Sequence, residues 1–78
     1  MKTIKNYDFK VDSIKSKIES RKVYINDIIT RLNGYKESED MTVILLNDIH
    51  RTKFEIRLLE LRLKTINLIK KIINKVTA

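Results

Sequence analysis

The chain contains no cysteine, no proline and no tryptophan, and it has a single glycine. The absence of cysteine excludes disulfide bonds and thiolate metal sites. Because proline is absent and glycine occurs once, little in the 78 residues would interrupt a helix. Aromatic residues make up only 6% of the chain, which leaves little material for an aromatic platform that stacks nucleic-acid bases.

Long apolar runs are also missing, and the first ten residues are mostly polar. We therefore expect neither a membrane-spanning helix nor a signal peptide, and a soluble, cytoplasmic protein is the default interpretation. With 42% hydrophobic and 35% charged residues, the composition is typical of one small folded domain over residues 1–78. The only histidine is His50, and no residue set has the spacing of a catalytic or metal site. We expect no enzyme, no cofactor and no bound metal.

What the sequence does contain is a seven-residue apolar repeat in its first half. Alternating steps of three and four residues select ten positions, of which nine are apolar or aromatic: Ile4, Tyr7, Val11, Ile14, Ile18, Arg21, Ile25, Ile28, Leu32 and Tyr35. A strand would place successive side chains on opposite faces, whereas a helix places all ten on one stripe. The repeat predicts a helix over about residues 4–33 that packs against another helix.

One interruption divides the chain. Gly34 is suited to the left-handed conformation that ends many helices, with Tyr35 packing back on Ile29. Ser38 is a suitable N-cap for a second helix. We therefore expect a loop over about 34–38, a second helix over about 39–76, and an all-α antiparallel hairpin. A further break near Asn47, which would make three helices, is the less favoured alternative.

Folding the chain about this loop predicts which residues face each other. Opposing residues should have numbers that add up to about 73 or 74, so that Ile25 faces Ile49 and Ile14 faces Leu59. Arg21, the one polar position of the first stripe, then falls opposite Thr52. We call the contact between the facing apolar stripes of the two helices the seam. We interpret Arg21 and Thr52 as a polar layer that fixes the register of the seam, with the guanidinium of Arg21 extending toward Glu55.

The second helix carries an additional apolar stripe, which we call the outer stripe. Its members follow heptad spacing but lie off the seam: Phe54, Leu58, Leu61, Leu68 and Ile72. A helix that is apolar on more than one side is buried on more than one side, and the hairpin covers only one. The outer stripe therefore predicts self-association, most simply a homodimer that forms a four-helix bundle or coiled coil. The alternative is a monomeric hairpin with an exposed apolar tail.

Positive charge is concentrated away from the loop. The net charge is +7, and residues 33–48 hold one basic and four acidic residues. The densest basic cluster makes four residues candidates for binding a polyanion: Lys64, Lys70, Lys71 and Lys75. A lysine-rich face that only interacts with solvent is an equally good interpretation. The basic amphipathic stretch 66–76 would also suit a membrane surface, but a dimer interface explains it more economically.

Two functions remain after these exclusions. The first is a small non-enzymatic helical interaction protein that self-associates and docks on another macromolecule, with a protein as the favoured partner. Adaptors, inhibitors and phage-type regulators act in this way. The second is a dimer that binds nucleic acid through its basic helical faces. Sequence alone identifies neither the partner nor the pathway.

Overall fold

The computed structural model describes residues 2–77, with side chains from Lys5 onward, and it contains two helices. Helix α1 spans Lys2–Gly34 and helix α2 spans Glu39–Thr77, and the described residues form no strand. The all-α prediction with two helices is confirmed. Helix α2 runs without interruption through Asn47, so the three-helix alternative is wrong. The side chain of Ile4, the first position of the predicted seam, lies outside the described part.

The two helices form a narrow antiparallel rod. Its principal dimensions are 59 × 14 × 14 Å, and about 58 Å is expected for the 39 residues of α2 alone. Three polar contacts join the helices: Arg21 with Glu55, Tyr24 with Asp48, and Asp8 with Lys70. The nearer a contact lies to the start of α1, the nearer its partner lies to the end of α2, as an antiparallel pair requires. The residue numbers in these pairs add up to 76, 72 and 78, so two of the three contacts lie above the expected 73 or 74.

The core is the seam between the helices. Its buried apolar residues are Val11, Ile14, Ile18, Ile25, Ile28, Leu45, Ile49, Ile56 and Ile66, with Tyr7, Leu32, Met41, Leu59 and Leu63 packed around them. All five buried residues of α1 belong to the predicted heptad stripe. Burying a large aliphatic side chain contributes about 1.5–3 kcal/mol, so this one layer accounts for most of the apolar stabilisation of the pair.

The start of α2 forms as the sequence indicates. The Ser38 hydroxyl oxygen accepts a hydrogen bond from the Met41 amide at 3.2 Å, which confirms Ser38 as the N-cap. The Ser38 carbonyl accepts a further bond from the Thr42 amide at 2.9 Å. Glu39 and Asp40 lie in the first turn, where the helix dipole favours negative charge.

The end of α1 differs from the expectation. Gly34 does not have a positive φ, so the left-handed cap predicted there is wrong. Instead, the Tyr35 amide donates to the Arg31 carbonyl at 3.0 Å and continues the helical hydrogen bonding. Tyr35 is 73% exposed and therefore lies outside the seam to which we assigned it. Arg31 Nε donates to Glu37 at 2.6 Å across the turn, and this hydrogen bond and ion pair raise the pKa of Arg31.

Candidate interaction surfaces

The outer stripe is an exposed apolar surface on α2. Its five residues, Phe54, Leu58, Leu61, Leu68 and Ile72, are each 51–59% exposed. Each lies two residues from a seam position along α2, which corresponds to about 200° around the helix. The stripe therefore faces almost directly away from α1. Helix α2 is consequently apolar on two opposite sides, of which the hairpin buries one.

The stripe is more apolar than its sequence indicates. Toward the turn it ends at Phe54, because Asn47 and Arg51 occupy the preceding positions. Thr65 is the one polar residue at a heptad position within the stripe, and its hydroxyl donates a hydrogen bond to the Leu61 carbonyl at 3.0 Å. Because its hydrogen-bonding capacity is used within α2, Thr65 needs no polar partner on a second molecule. Leu61, Thr65 and Leu68 line an open depression together with Lys64 and Lys71.

The four predicted polyanion candidates are in two different environments. Lys70 is only partly exposed and forms an ion pair with Asp8, which joins α1 to α2 near the open end of the hairpin. Lys64, Lys71 and Lys75 are exposed, and none is within ion-pairing distance of a carboxylate in the described residues. Lys70 therefore contributes to the contact between α1 and α2, whereas the charges of the other three lysines face solvent.

The polar layer of the seam is arranged through Arg21. Its Nε donates to Glu55 Oε2 at 2.9 Å and its Nη1 donates to the Lys17 carbonyl at 3.3 Å. The charged end of Arg21 thus extends toward Glu55, the direction expected from the sequence, and its side chain is about one-third exposed. Thr52 is buried, with 6% of its surface exposed. This arrangement is typical of a structural polar position rather than of a binding site.

A depression that the sequence did not predict lies on one flank of the hairpin. Its lining combines three basic residues with an aromatic ring: Phe9, Lys10, Ser13, Ile14, Lys17, Arg62 and Ile66. Its volume is about 120 Å³. Helix α1 contributes Phe9, Lys10 and Lys17, and α2 contributes Arg62 from a position 45 residues beyond Lys17 in the sequence. The predicted register places Arg62 opposite Val11, but the heptad pattern alone does not indicate that Lys10, Lys17 and Arg62 line one depression.

Other candidate chemistry is sparse in the part of the chain that the structure describes. His50 is exposed, and no three histidine or carboxylate side chains among residues 2–77 are grouped closely enough to hold a metal ion. Neither described helix has a stretch long and apolar enough to cross a membrane. The chain matches no protein-family model, no curated protein and no solved structure.

Proposed function

We propose that this chain is a non-enzymatic helical interaction protein that self-associates through the outer stripe of α2. The observation that carries the proposal is the exposure of five large apolar side chains with heptad spacing on the side of α2 that faces away from the seam. A contiguous exposed apolar surface on a small protein marks an interaction site or an aggregation liability. A hairpin with only one buried layer gains stability when this second layer is covered.

A second copy is the occupant that the stripe fits. If two α2 helices pack antiparallel about a two-fold axis beside Leu63, Phe54 meets Ile72 of the second copy. In the same arrangement Leu58 meets Leu68, and Leu61 meets Thr65. Every apolar side chain of the stripe then meets an apolar side chain of the second copy, or Thr65, whose hydroxyl is already hydrogen-bonded within its own helix. A two-fold interface requires such a self-complementary surface.

The magnitude of this burial favours a concentration-dependent dimer. The stripe side chains are about half exposed in the single chain, so covering each contributes roughly 0.8–1.5 kcal/mol. Ten side chains from two copies together contribute about 8–15 kcal/mol, and association costs about 4–15 kcal/mol. A dissociation constant of about 200 µM needs a net gain of about 5 kcal/mol, which lies within these ranges, so we expect a dissociation constant at or below about 200 µM.

The dimer leaves α1 on the outside, where it can contact another protein. Val23 and Tyr24 are exposed on α1 and provide apolar contacts at its surface. We propose that the dimer acts by docking these outer faces on a protein partner, in the manner of an adaptor, inhibitor or phage-type regulator. Such a role needs no catalytic group and uses both helices.

Sedimentation equilibrium over roughly 1–200 µM tests the self-association. The variant Leu58→Asp/Leu61→Asp places two charges in the stripe and should be monomeric throughout this range. The matched control Ser16→Asp/Ser20→Asp makes the same change in net charge at exposed positions of α1, away from the stripe, and it should associate as the wild type does. A wild-type chain that stays monomeric at the highest concentration would refute the dimer.

A further inference from the structure

We propose that the flank depression between α1 and α2 binds single-stranded nucleic acid, with Lys10, Lys17 and Arg62 on the phosphates and Phe9 stacked on a base. The inference does not depend on self-association, because none of these four residues belongs to the outer stripe. It also assigns the polyanion site to a different set of basic residues from the four that the sequence indicates.

In the described part of the chain, no carboxylate forms an ion pair with the charges around the depression. Among the described residues that line it, three are basic and none is acidic. None of the three lies within 4.0 Å of a carboxylate oxygen of residues 2–77, whereas Arg21, Arg31, Arg51 and Lys70 do. Glu55, seven residues before Arg62 along α2, already accepts a hydrogen bond from Arg21. Three like charges held together in this way attract anionic groups.

Other groups of the lining add to its affinity for phosphate. Lys10 Nζ lies 5.4 Å from the centroid of the Tyr7 ring, which restrains the ammonium group over the aromatic face. Ser13 lies between Lys10 and Lys17 in the lining and offers a hydroxyl that can donate to a phosphate oxygen. Arg62 adds a planar guanidinium, which pairs well with phosphate.

The aromatic ring and the size of the depression select the kind of polyanion. Phe9 is 75% exposed, and its ring beside the cations can stack on an unpaired base but not on a base inside a duplex. The volume of about 120 Å³ is well below the roughly 300–1,000 Å³ of pockets that enclose a small molecule. A depression of this size accommodates one phosphate or ring edge at a time, so an extended strand lying across it fits better than an enclosed nucleotide.

Fluorescence anisotropy with a labelled oligo-dT strand tests the proposal at a series of salt concentrations. We expect Lys10→Gln/Lys17→Gln/Arg62→Gln to weaken binding at least tenfold. The slope of log affinity against log salt should fall by about two, because each phosphate contact on a single strand contributes roughly 0.7. The matched control Lys64→Gln/Lys71→Gln/Lys75→Gln also removes three exposed basic charges and should weaken binding less than about threefold. Equal losses for the two triple variants would overturn the site, since binding would then follow net charge alone.

The aromatic contribution is tested separately with Phe9→Ala. This variant should bind the strand about fivefold or more weakly, because stacking on one aromatic side chain contributes at least that much. Its affinity for inorganic polyphosphate, which has no bases, should be unchanged. Because Phe9 is mostly exposed, the variant should keep the wild-type helix content by circular dichroism. Equal affinity of wild type and Phe9→Ala for the strand, or no wild-type binding at low salt, would refute the proposal.

Discussion

The seam can be tested by making the same substitution on opposite sides of α2. Ile49 is 7% exposed and Ile44 is 53% exposed, although only five residues separate them in one helix. Replacing Ile49 by alanine removes buried methylene and methyl groups and leaves a cavity, which costs about 2–5 kcal/mol. A domain of this size has a total stability near the lower end of about 5–15 kcal/mol. Ile49→Ala should therefore lose a large part of the free energy of unfolding.

The expected shift can be measured directly. In domains of 60–100 residues, each kcal/mol changes the melting temperature by about 4–8 °C, so Ile49→Ala should lower it by about 8 °C or more. Ile44→Ala loses at most about 1 kcal/mol of burial and regains a few tenths through the better helix propensity of alanine. Its melting temperature should change by only a few degrees. Thermal unfolding by circular dichroism at low micromolar concentration measures both variants, and equal losses would show that the seam is not the core.

Two further predictions concern the register and its polar layer. Arg21→Leu should leave the melting temperature within a few degrees of the wild type or raise it, because the partly exposed ion pair with Glu55 contributes at most about 1 kcal/mol. A large loss of stability in thermal unfolding would show instead that the pair holds the seam together. For the register, Ile14→Cys/Leu59→Cys should form an intramolecular disulfide under mild oxidation, whereas Ile14→Cys/Thr52→Cys should not. The opposite result on a non-reducing gel would show that the predicted alignment is wrong.

The helices and the N-cap of α2 followed from local sequence information. The heptad spacing in the first half predicts the buried face of α1, because side chains three and four residues apart share one side of a helix. Ser38 is the N-cap because its hydroxyl can accept a hydrogen bond from an amide three residues later, whatever the rest of the chain does. The outer stripe is predicted in the same way, since its five residues have heptad spacing within α2 alone.

The end of α1 was not predicted correctly from the residues next to it in the sequence. Glycine permits a left-handed cap but does not require one, and at Gly34 the helical hydrogen bonding continues to Tyr35 instead. The ion pair between Arg31 and Glu37 spans the turn and depends on the path of the chain after the helix. Tyr35 therefore lies outside the seam even though it has the correct heptad spacing.

By itself, the sequence determined the helix type, the buried stripe of α1 and the apolar row opposite the seam. These depend on residues a few positions apart on one helix, whose relative placement is fixed by helical geometry. Only the tertiary structure decided that Lys70 pairs with Asp8 and that Arg62 joins Lys10 and Lys17 at one depression. Those contacts depend on the rotation and axial offset of two helices packed against each other. The rotation and the exact axial offset are set by how the side chains of the seam interdigitate, and neither can be read from the residue spacing along one helix.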